Sequence, residues 1–430
     1  MNVGFYITRM SYVAQFGPLI DYFREKGAKI SLLCDHRKKP KDCSYKAYQY
    51  PHPENIRDEL NTDDIQIFYT TEEFVNIILK NSVQAVFFLA INTIARQAKA
   101  LTVENKVDVI FAHLQTSGDI LFVNNTISDL PYCDVIYLFS ENLKIWWKEW
   151  LSQFKITSEA EQNYIFEQIE TKTVITGQPE MDQVVSFDRC TICKKYGIPP
   201  DRPVILLLPF PWRIPFNIGS HISYKYQNKV LKILKLLMCG GWKYIPDMSK
   251  FADDLQVTEA ISQFAKQNNA CFLVKARLKN KVPSYLKKIA DSVIYDLSYY
   301  PYTILELMFI ADLSIGFFSG AIRESIICET PSICLGPKIE GSWPPLSEIS
   351  FLSDFSLKSE SFYNFEGVVY FESVEDFSVS FQNKTFDDYP LNEKNRDSFI
   401  KKFLGFSDLR SSERIYNDIS QRIASWENDG

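Results

Sequence analysis

The chain has 430 residues and a formal net charge of −6, and 46% of its residues are hydrophobic while 23% are charged. That length exceeds one ordinary hydrophobic core and predicts two domains of roughly 200 residues each, while the apolar content excludes a disordered chain. The acidic balance argues against the long basic surface that sequence-independent nucleic-acid binding requires, so no nucleic-acid partner is expected.

The sequence shows no recognisable targeting or membrane-spanning segment. Its opening, MNVGFYITRM, lacks a basic leader, and Thr8 and Arg9 break its apolar run, so no secretory signal is expected. No stretch approaches the ~20 consecutive apolar residues that a transmembrane helix needs. The nine cysteines are odd in number and scattered, which is typical of reduced thiols. We therefore expect a cytoplasmic protein.

The first half of the chain alternates apolar strands with segments of helical period. Residues 3–7 form a predicted strand, residues 13–26 a helix that ends at Gly27, and residues 28–34 a second strand. This order begins a parallel sheet with crossover helices, which binds nucleotides at the carboxyl ends of its strands. The first turn lacks the G-x-G-x-x-G pattern, so no dinucleotide cofactor is expected. Further predicted strands cover residues 66–69, 85–89, 107–112 and 135–139.

A polar turn, GIPPDRP at residues 197–203, separates this alternation from a second one. Two alternations of strand and helix predict two α/β lobes, each with its own sheet. The strands predicted for the second lobe cover residues 204–208, 270–274, 292–295, 313–317 and 332–335.

The tail from residue 395 onward has a helical pattern with one apolar stripe, formed by Ile415, Ile419, Ile423 and Trp426. Such a stripe predicts that the tail packs back across the first lobe. The expected fold class is α/β, with two Rossmann-like doubly wound lobes that face a cleft. The predicted divisions are residues 1–198 for an acceptor domain, 199–394 for a nucleotide-donor domain and 395–430 for a helical return segment.

Four segments together resemble a known superfamily. VITGQPEMD, residues 174–182, resembles an interlobe stretch with fixed Val, Gly, Pro and Asp positions, and LLLPFPWR, residues 206–213, resembles the strand and loop that open a second lobe. FLVKARLKNKVP places Lys275 and Arg277 where a basic pair follows a strand. Residues 296–335 resemble a helix ending in Ala-Asp, a strand, Ser-Gly and a helix with Glu. The resemblance is to GT-B glycosyltransferases, CDP-glycerol glycerophosphotransferases and non-hydrolysing UDP-N-acetylglucosamine 2-epimerases.

The resemblance implies a nucleotide-diphosphate donor in the second lobe. Residues 319–321 close a predicted strand and open a helix over residues 322–328, whose free backbone N–H groups and dipole suit a diphosphate. Gly320 lets the backbone approach phosphate, and Glu324 can accept hydrogen bonds from two ribose hydroxyls. The expected donor-binding residues are Lys275, Arg277, Ser319, Gly320, Ala321, Arg323 and Glu324.

Three basic residues are candidates to neutralise charge on the departing diphosphate, in place of a metal ion: Arg213, Lys275 and Arg277. The alternative for each is a solvated surface position or an ion pair. Cys190 and Cys193 form a C-x-x-C pair, but no second ligand pair follows at suitable spacing, so no metal site is expected.

The first lobe is expected to hold the acceptor and the catalytic base. His113 follows a predicted buried strand at the rim of the cleft, where an imidazole suits removal of a hydroxyl proton. A histidine satisfied within the sheet edge is the alternative, and Asp119 is a second candidate base that could instead cap a helix. Arg9 and Ser11, after the first strand, are candidates to contact acceptor or diphosphate.

The run KIWWKEWLSQFK, residues 144–155, combines three tryptophans with lysines at helical spacing. This composition suits a membrane interface, where Trp146, Trp147 and Trp150 would approach a lipid-linked acceptor at the inner membrane face. A buried aromatic patch at the lobe edge is the alternative.

These features favour a metal-independent glycosyltransferase that acts on a hydroxyl of a cell-surface glycan or glycolipid. A polyol-phosphate transferase is an alternative, although His113-Leu114-Gln115 replaces the His-Gly-Thr of that branch. A 2-epimerase is another, although its Glu-Ala-Gly run is missing and LLLPFPWR contains no histidine. A non-catalytic sugar-nucleotide sensor is a third. No Glu pair at the spacing of many retaining glycosyltransferases brackets Glu324.

Overall fold

Two α/β lobes, each built on its own parallel sheet, make up the protein. The seven-stranded and six-stranded sheets confirm the fold class that the alternating pattern predicts. The computed structural model describes residues 1–37, 50–62, 64–89, 93–104, 108–115, 130–154, 158–209, 254–277, 282, 284–295, 298–317, 319–336, 354 and 358–429.

The first sheet has the order β3-β2-β1-β4-β5-β6-β7, with every neighbouring pair parallel. The order reverses beside β1, and the carboxyl ends of strands at such a reversal form the usual ligand crevice of an open α/β sheet. Its strands are β1 (Asn2–Ile7), β2 (Lys29–Asp35), β3 (Ile65–Phe68), β4 (Ala85–Phe88), β5 (Ile110–Leu114), β6 (Val135–Leu138) and β7 (Thr173–Ile175).

The second sheet has the order β10-β9-β8-β11-β12-β13 and is also parallel, with its reversal beside β8. Five of its strands match the predicted ones, while β13 was not predicted. That strand is half-exposed at the sheet edge, so its sequence lacks a continuous buried apolar run. The strands are β8 (Val204–Leu207), β9 (Cys271–Lys275), β10 (Ser292–Ile294), β11 (Leu313–Phe317), β12 (Ser332–Gly336) and β13 (Val369–Ser373).

Helices connect the strands and cover both faces of each sheet. Those before β8 are α1 (Ser11–Glu25), α2 (Pro53–Leu60), α3 (Thr71–Lys80), α4 (Thr93–Glu104), α5 (Glu141–Phe154), α6 (Glu159–Lys172) and α7 (Arg189–Tyr196), with a 3₁₀ helix at Pro179–Ser186. Those after β8 are α8 (Asp254–Gln267), α9 (Ser284–Ile289), α10 (Thr303–Ile310), α11 (Ile322–Ile327), α12 (Val374–Ser380), α13 (Glu393–Phe403) and α14 (Ser411–Asp429).

Local chemistry sets the ends of α7, which follows the interlobe 3₁₀ helix Pro179–Ser186. The Asp188 side chain accepts a hydrogen bond of 2.8 Å from the Thr191 backbone N–H and so caps the first turn. Gly197, with φ 68°, ends the helix in the left-handed conformation that glycine adopts without a Cβ penalty. The interlobe 3₁₀ helix is thereby joined to β8 by a short, well-defined connection.

One apolar cluster continues from the first lobe into the second. It contains Leu138 and Trp146 from the first lobe, Leu206 from the second sheet and Phe403 from α13. Burial of a shared apolar surface is the main favourable term in docking two domains. The lobes therefore rest on a common core.

The C-terminal helix α14 packs back on the first lobe, as the sequence predicts. Ile415 and Ile419 are fully buried in a cluster with Phe5 of β1 and Phe16 of α1. Trp426, expected on the same stripe, is 38% exposed. The Tyr137 hydroxyl also donates to Asp418 of this helix at 2.8 Å. The exact residue divisions between the domains stay a prediction.

The expected membrane-facing role of the α5 tryptophans is wrong for two of the three. Trp146 and Trp147 are each 1% exposed, and the Trp146 Nε1 donates a 2.9 Å hydrogen bond to Asp354. Trp150 is partly buried against the same apolar cluster. Trp146 and Trp147 instead form part of a buried aromatic patch, which is the alternative, because their rings pack in the core that the lobes share. In the described part of the chain, no helix combines the length and apolar content that crossing a bilayer requires.

Replacing Gly405 with alanine should lower stability by more than about 2 kcal/mol. Gly405 has φ +90°, and a Cβ there would lie 1.8 Å from the Phe139 carbonyl oxygen, so α13 could not keep its position on the end of β6. Urea unfolding would measure the loss. Gly27→Ala is the matched control, since Gly27 also has positive φ but nothing lies near its Cβ, and it should cost only about 1 kcal/mol. Equal losses for the two variants would contradict the steric argument.

Candidate active site

Predicted donor residues gather at the carboxyl edge of the second sheet. Lys275 is the last residue of β9 and is 7% exposed, and Arg277 follows two residues later as an exposed side chain. The segment from Ser319 to Glu324 follows β11 and enters α11. Because β9, β8 and β11 are parallel neighbours, their carboxyl ends meet at one edge. The fold therefore collects residues that lie far apart in the sequence.

Glu324 lies at the centre of a positively charged group. Burial raises the pKa of its carboxyl, while the charges of Arg323, Arg277 and Lys275 act to lower it. Glu324 Oε2 is closed to solvent and has no hydrogen-bond partner. A buried carboxylate oxygen without a partner is costly, and such groups concentrate at functional sites. The expected association of Lys275, Arg277, Arg323 and Glu324 is therefore present as an electrostatic cluster.

The turn into α11 differs from the expected anion cradle. The Ala321 N–H donates to Ser319 Oγ at 3.2 Å, and the Ile322 and Arg323 N–H groups donate to the carbonyls of Ser319 and Gly320. Those three N–H groups are thus already used within the turn, contrary to the expectation that they are free. The helix also has only 6 residues, which limits its dipole. An anion at this turn would be held by side chains more than by the helix end.

Glu180, which the sequence analysis did not single out, faces this cluster from the interlobe 3₁₀ helix. Its side chain is 6% exposed and its Oε2 has no hydrogen-bond partner. Burial raises the pKa of Glu180 to about 7; Arg323 lowers it, and the nearby carboxylates of Glu324 and Asp182 raise it further. The sequence signal is an acidic residue between Pro179 and Met181 in VITGQPEMD, whereas the resemblance of that stretch rests on its Val, Gly, Pro and Asp positions.

Asp182, two residues later, has a different environment. Its carboxylate accepts hydrogen bonds from the backbone N–H groups of Ser411 at 3.1 Å and Ser412 at 2.6 Å, and so caps the first turn of α14. Burial raises its pKa, while these hydrogen bonds oppose the shift. Gly177, with φ +87°, allows the same approach, because a Cβ there would lie 2.5 Å from Ser411 Oγ. The interlobe segment is thereby fixed to the C-terminal helix.

The expected position of His113 is wrong. The strand predicted at residues 107–112 is β5, Ile110–Leu114, so His113 lies inside the strand and not past it. The side chain is 2% exposed, its Nε2 is 3.1 Å from Gln115 Oε1, and burial lowers its pKa to about 4. The alternative, a histidine satisfied within the sheet edge, agrees with this buried position but not with the hydrogen bonding, because Nδ1 has no partner. The other candidates for catalysis, Asp119 and Arg213, lie outside the described residues.

Arg9 and Ser11 are the sequence neighbours of a residue that lines a cavity between the lobes. Arg9 is exposed in the turn after β1, and Ser11 is the first residue of α1. Met10, between them, lines a cavity of about 380 Å³ together with first-lobe and second-lobe residues. The remaining lining residues are Asn55, Asp58, Glu59, Ser298, Tyr299 and Tyr300.

A contact beside this cavity holds the lobes together. Glu59 of α2 accepts hydrogen bonds from the backbone N–H groups of Tyr299 and Tyr300, and the Tyr300 hydroxyl donates to Asp21 of α1 at 2.6 Å. A Cβ on Gly17 would lie 2.4 Å from the Tyr300 ring, so only glycine allows this approach. The segment that carries Tyr300 belongs to the second lobe, and these contacts fix one wall of the cleft.

Comparisons with known proteins support the fold. No family model and no curated protein sequence matches the chain. A putative UDP-N-acetylglucosamine 2-epimerase from Listeria monocytogenes is similar in structure, with TM-score 0.55 and 10% identity over 98% of this chain and 96% of that one. The UDP-GlcNAc 2-epimerase from Neisseria meningitidis bound to UDP-GlcNAc has a TM-score of 0.52 and 12% identity, over 98% of this chain and 100% of that one. The wall teichoic acid polymerase TagF has a TM-score of 0.55 and 12% identity, over 99% of this chain and 89% of that one. The chain has their two-lobe fold, of the GT-B type.

Glu180 should make stability fall as the pH rises from about 5 to 7. Its pKa is raised from 4.5 to about 7 in the folded protein, so the folded state binds more protons than the unfolded state in this window. Glu180→Gln removes the titrating carboxyl. The slope of its free energy of unfolding against pH should therefore be less negative than that of wild type, by at most about 1.4 kcal/mol per pH unit. Urea midpoints at several pH values would measure the slopes. Glu259→Gln, an exposed position in α8, is the control; a Glu180→Gln slope parallel to wild type would contradict the burial argument.

Proposed function

We propose that the protein is a transferase that moves a sugar from a nucleotide-diphosphate donor to a hydroxyl of a cell-surface glycan or glycolipid. The observation that carries this proposal is the enclosed, unpartnered Oε2 of Glu324 among three cationic side chains at the carboxyl edge of the second sheet. A carboxylate in that setting suits ribose hydroxyls, and the cations suit phosphates. The two-lobe fold supplies a cleft in which donor and acceptor meet.

The diphosphate would be held by Lys275, Arg277 and Arg323. A lysine buried at the end of β9 and two guanidinium groups bring positive charge to one place without a metal ion, and each guanidinium can pair with two phosphate oxygens. The same charges would stabilise the diphosphate as it leaves. Residues 319–321 would contact phosphate chiefly through the Ser319 hydroxyl, which now accepts a hydrogen bond from its own turn.

The acceptor would enter from the first lobe, beside the cavity that Met10 lines and next to Arg9 and Ser11. His113 does not suit the role of base, since a buried imidazole with a pKa near 4 holds an abstracted proton weakly. Asp119 stays a prediction for that role, and Arg213 stays one for diphosphate binding. Transfer of a polyol phosphate, with attack at phosphorus, would use the same donor contacts, and one structural neighbour, TagF, is a wall teichoic acid polymerase.

A second candidate function is 2-epimerisation of a UDP-sugar, which the buried Glu180 favours. Epimerisation at carbon requires residues that remove and return a proton, and a carboxyl with a pKa near 7 suits such a role at neutral pH. Two of the structural neighbours are described as UDP-N-acetylglucosamine 2-epimerases, one of them as putative. The two functions share the donor site and differ in whether the sugar leaves the nucleotide.

Glu324→Ala should weaken binding of the donor by about 30-fold or more, because it removes a charge-assisted hydrogen bond from an enclosed site. A thermal-shift screen of UDP, CDP, GDP and CMP conjugates would first identify the donor, since a ligand of the native state raises the melting temperature. Calorimetry would then compare wild type with the variant. Glu375→Ala, an exposed position in α12, is the control. Unchanged affinity in Glu324→Ala would remove that residue from the site.

Incubation with UDP-N-acetylglucosamine in deuterated water separates the two functions. A transferase leaves the sugar carbons unlabelled and releases the sugar only to an acceptor or to water, whereas an epimerase introduces solvent deuterium at the epimerised carbon. We expect no label, as read by mass spectrometry of recovered nucleotide sugar. Deuterium on carbon would overturn the transferase proposal in favour of the epimerase.

A further inference from the structure

Two buried carboxyls from different parts of the chain share one guanidinium. Glu180 lies on the interlobe 3₁₀ helix and Glu324 on α11, and each has an Oε2 that is closed to solvent and without a partner. Of the charged groups that act on each carboxyl, Arg323 has the largest effect, and Glu324 also acts on Glu180. The two acids therefore belong to one electrostatic unit that bridges the lobes.

This unit contains as many cations as carboxyls. Among the described residues, Arg323 acts on both acids, Lys275 and Arg277 act on Glu324, and Asp182 acts on Glu180. A nucleotide-diphosphate diester would add two negative charges. In a site of low dielectric an uncompensated carboxylate beside a phosphate is strongly disfavoured, and the usual response is that the carboxyl binds a proton.

Other charged residues on the packed elements pair among themselves. On α1, Arg24 pairs with Asp21; on α10, Glu306 pairs with Lys195 and accepts from the Tyr196 hydroxyl. On α14, Arg414 pairs with Asp408. Asp182 is held by backbone N–H groups of α14. Arg323 and Glu324 are the charged groups of α11 that act on Glu180, so engagement of either by a donor would change the field at Glu180.

We propose that Glu180 is a further donor-site residue, which takes up one proton from solvent when the nucleotide diphosphate binds and then donates a hydrogen bond to a donor oxygen. This inference rests on the proposed donor site. The Arg323 guanidinium would pair with phosphate and stabilise the Glu180 carboxylate less. Glu180 would then bind a proton and become a neutral carboxylic acid. A neutral carboxylic acid has an O–H donor that a carboxylate lacks, so protonation converts a repulsive neighbour of phosphate into a bonding one. The free site is already poised for this change, because burial holds the Glu180 pKa at about 7.

Calorimetry of donor binding in buffers of different ionisation enthalpy tests the proposal. The probe is UDP-N-acetylglucosamine, or the CDP or GDP conjugate that the thermal screen selects, since the phosphates of such diesters do not titrate near neutrality. At pH 8 wild type should take up about one proton per donor bound, and its affinity should fall by up to about tenfold per pH unit above neutrality. Absence of uptake in wild type that binds the donor would overturn the proposal.

Variants assign the proton to Glu180. Glu180→Gln keeps a donor in the same place, so it should bind at pH 7 with nearly wild-type affinity, take up no proton and lose the pH dependence. Glu180→Ala should bind more weakly at every pH. If the glutamine variant fails to fold, Glu180→Asp keeps the acid and should keep the uptake. Uptake in Glu180→Gln equal to that of wild type would overturn the assignment, whereas wild type that binds none of these donors would overturn the proposed function itself.

Discussion

The burial of acidic side chains on the interlobe 3₁₀ helix is the constraint on which the rest of the structure depends. Asp182 caps α14, which covers the first sheet, and Gln183 accepts a 2.7 Å hydrogen bond from the Tyr302 N–H at the start of α10. Glu180 faces Arg323 and Glu324 of the second lobe. One short segment therefore contacts both lobes, the C-terminal helix and the donor cluster. Its polar groups are desolvated by that position, and each must find a partner or a proton.

The polar groups at the two ends of the cleft have different contacts. At the α1 end, the Tyr300 ring lies against Gly17 and its hydroxyl donates a hydrogen bond to Asp21. The Glu59 carboxylate accepts hydrogen bonds from backbone N–H groups. Those contacts are satisfied without any ligand. At the α11 end, two carboxyl oxygens have no partner. Unsatisfied buried groups are rare in folded proteins, and the α11 end is where we propose that a ligand binds.

Much of the architecture could be predicted from the sequence, because parallel strands buried on both faces give continuous apolar runs and helix ends carry glycine or capping residues. Strand limits inside such runs could not be fixed, since apolar residues continue through the strand end; that ambiguity placed His113 past β5 when it lies within it. The cluster of Lys275, Arg277, Arg323 and Glu324 followed from the order of segments. The place of Glu180 beside this cluster could not be predicted, because its burial arises from contacts with residues more than a hundred positions away. The N–H partners in the turn at Ser319 and Ala321 likewise depend on the local backbone conformation.

Glu180 and Asp182 are two buried acids on the same helix with different surroundings. Both are buried and both have raised pKa values, so neither burial nor titration separates them. Their partners do. Asp182 uses both carboxylate oxygens on the N–H groups of α14, and removing it would leave a helix end uncapped. Glu180 has a buried oxygen with no hydrogen-bond donor. A protein that keeps a buried, unpartnered carboxyl between its lobes accepts a cost in stability, and the donor binding proposed above offers a physical reason for that cost.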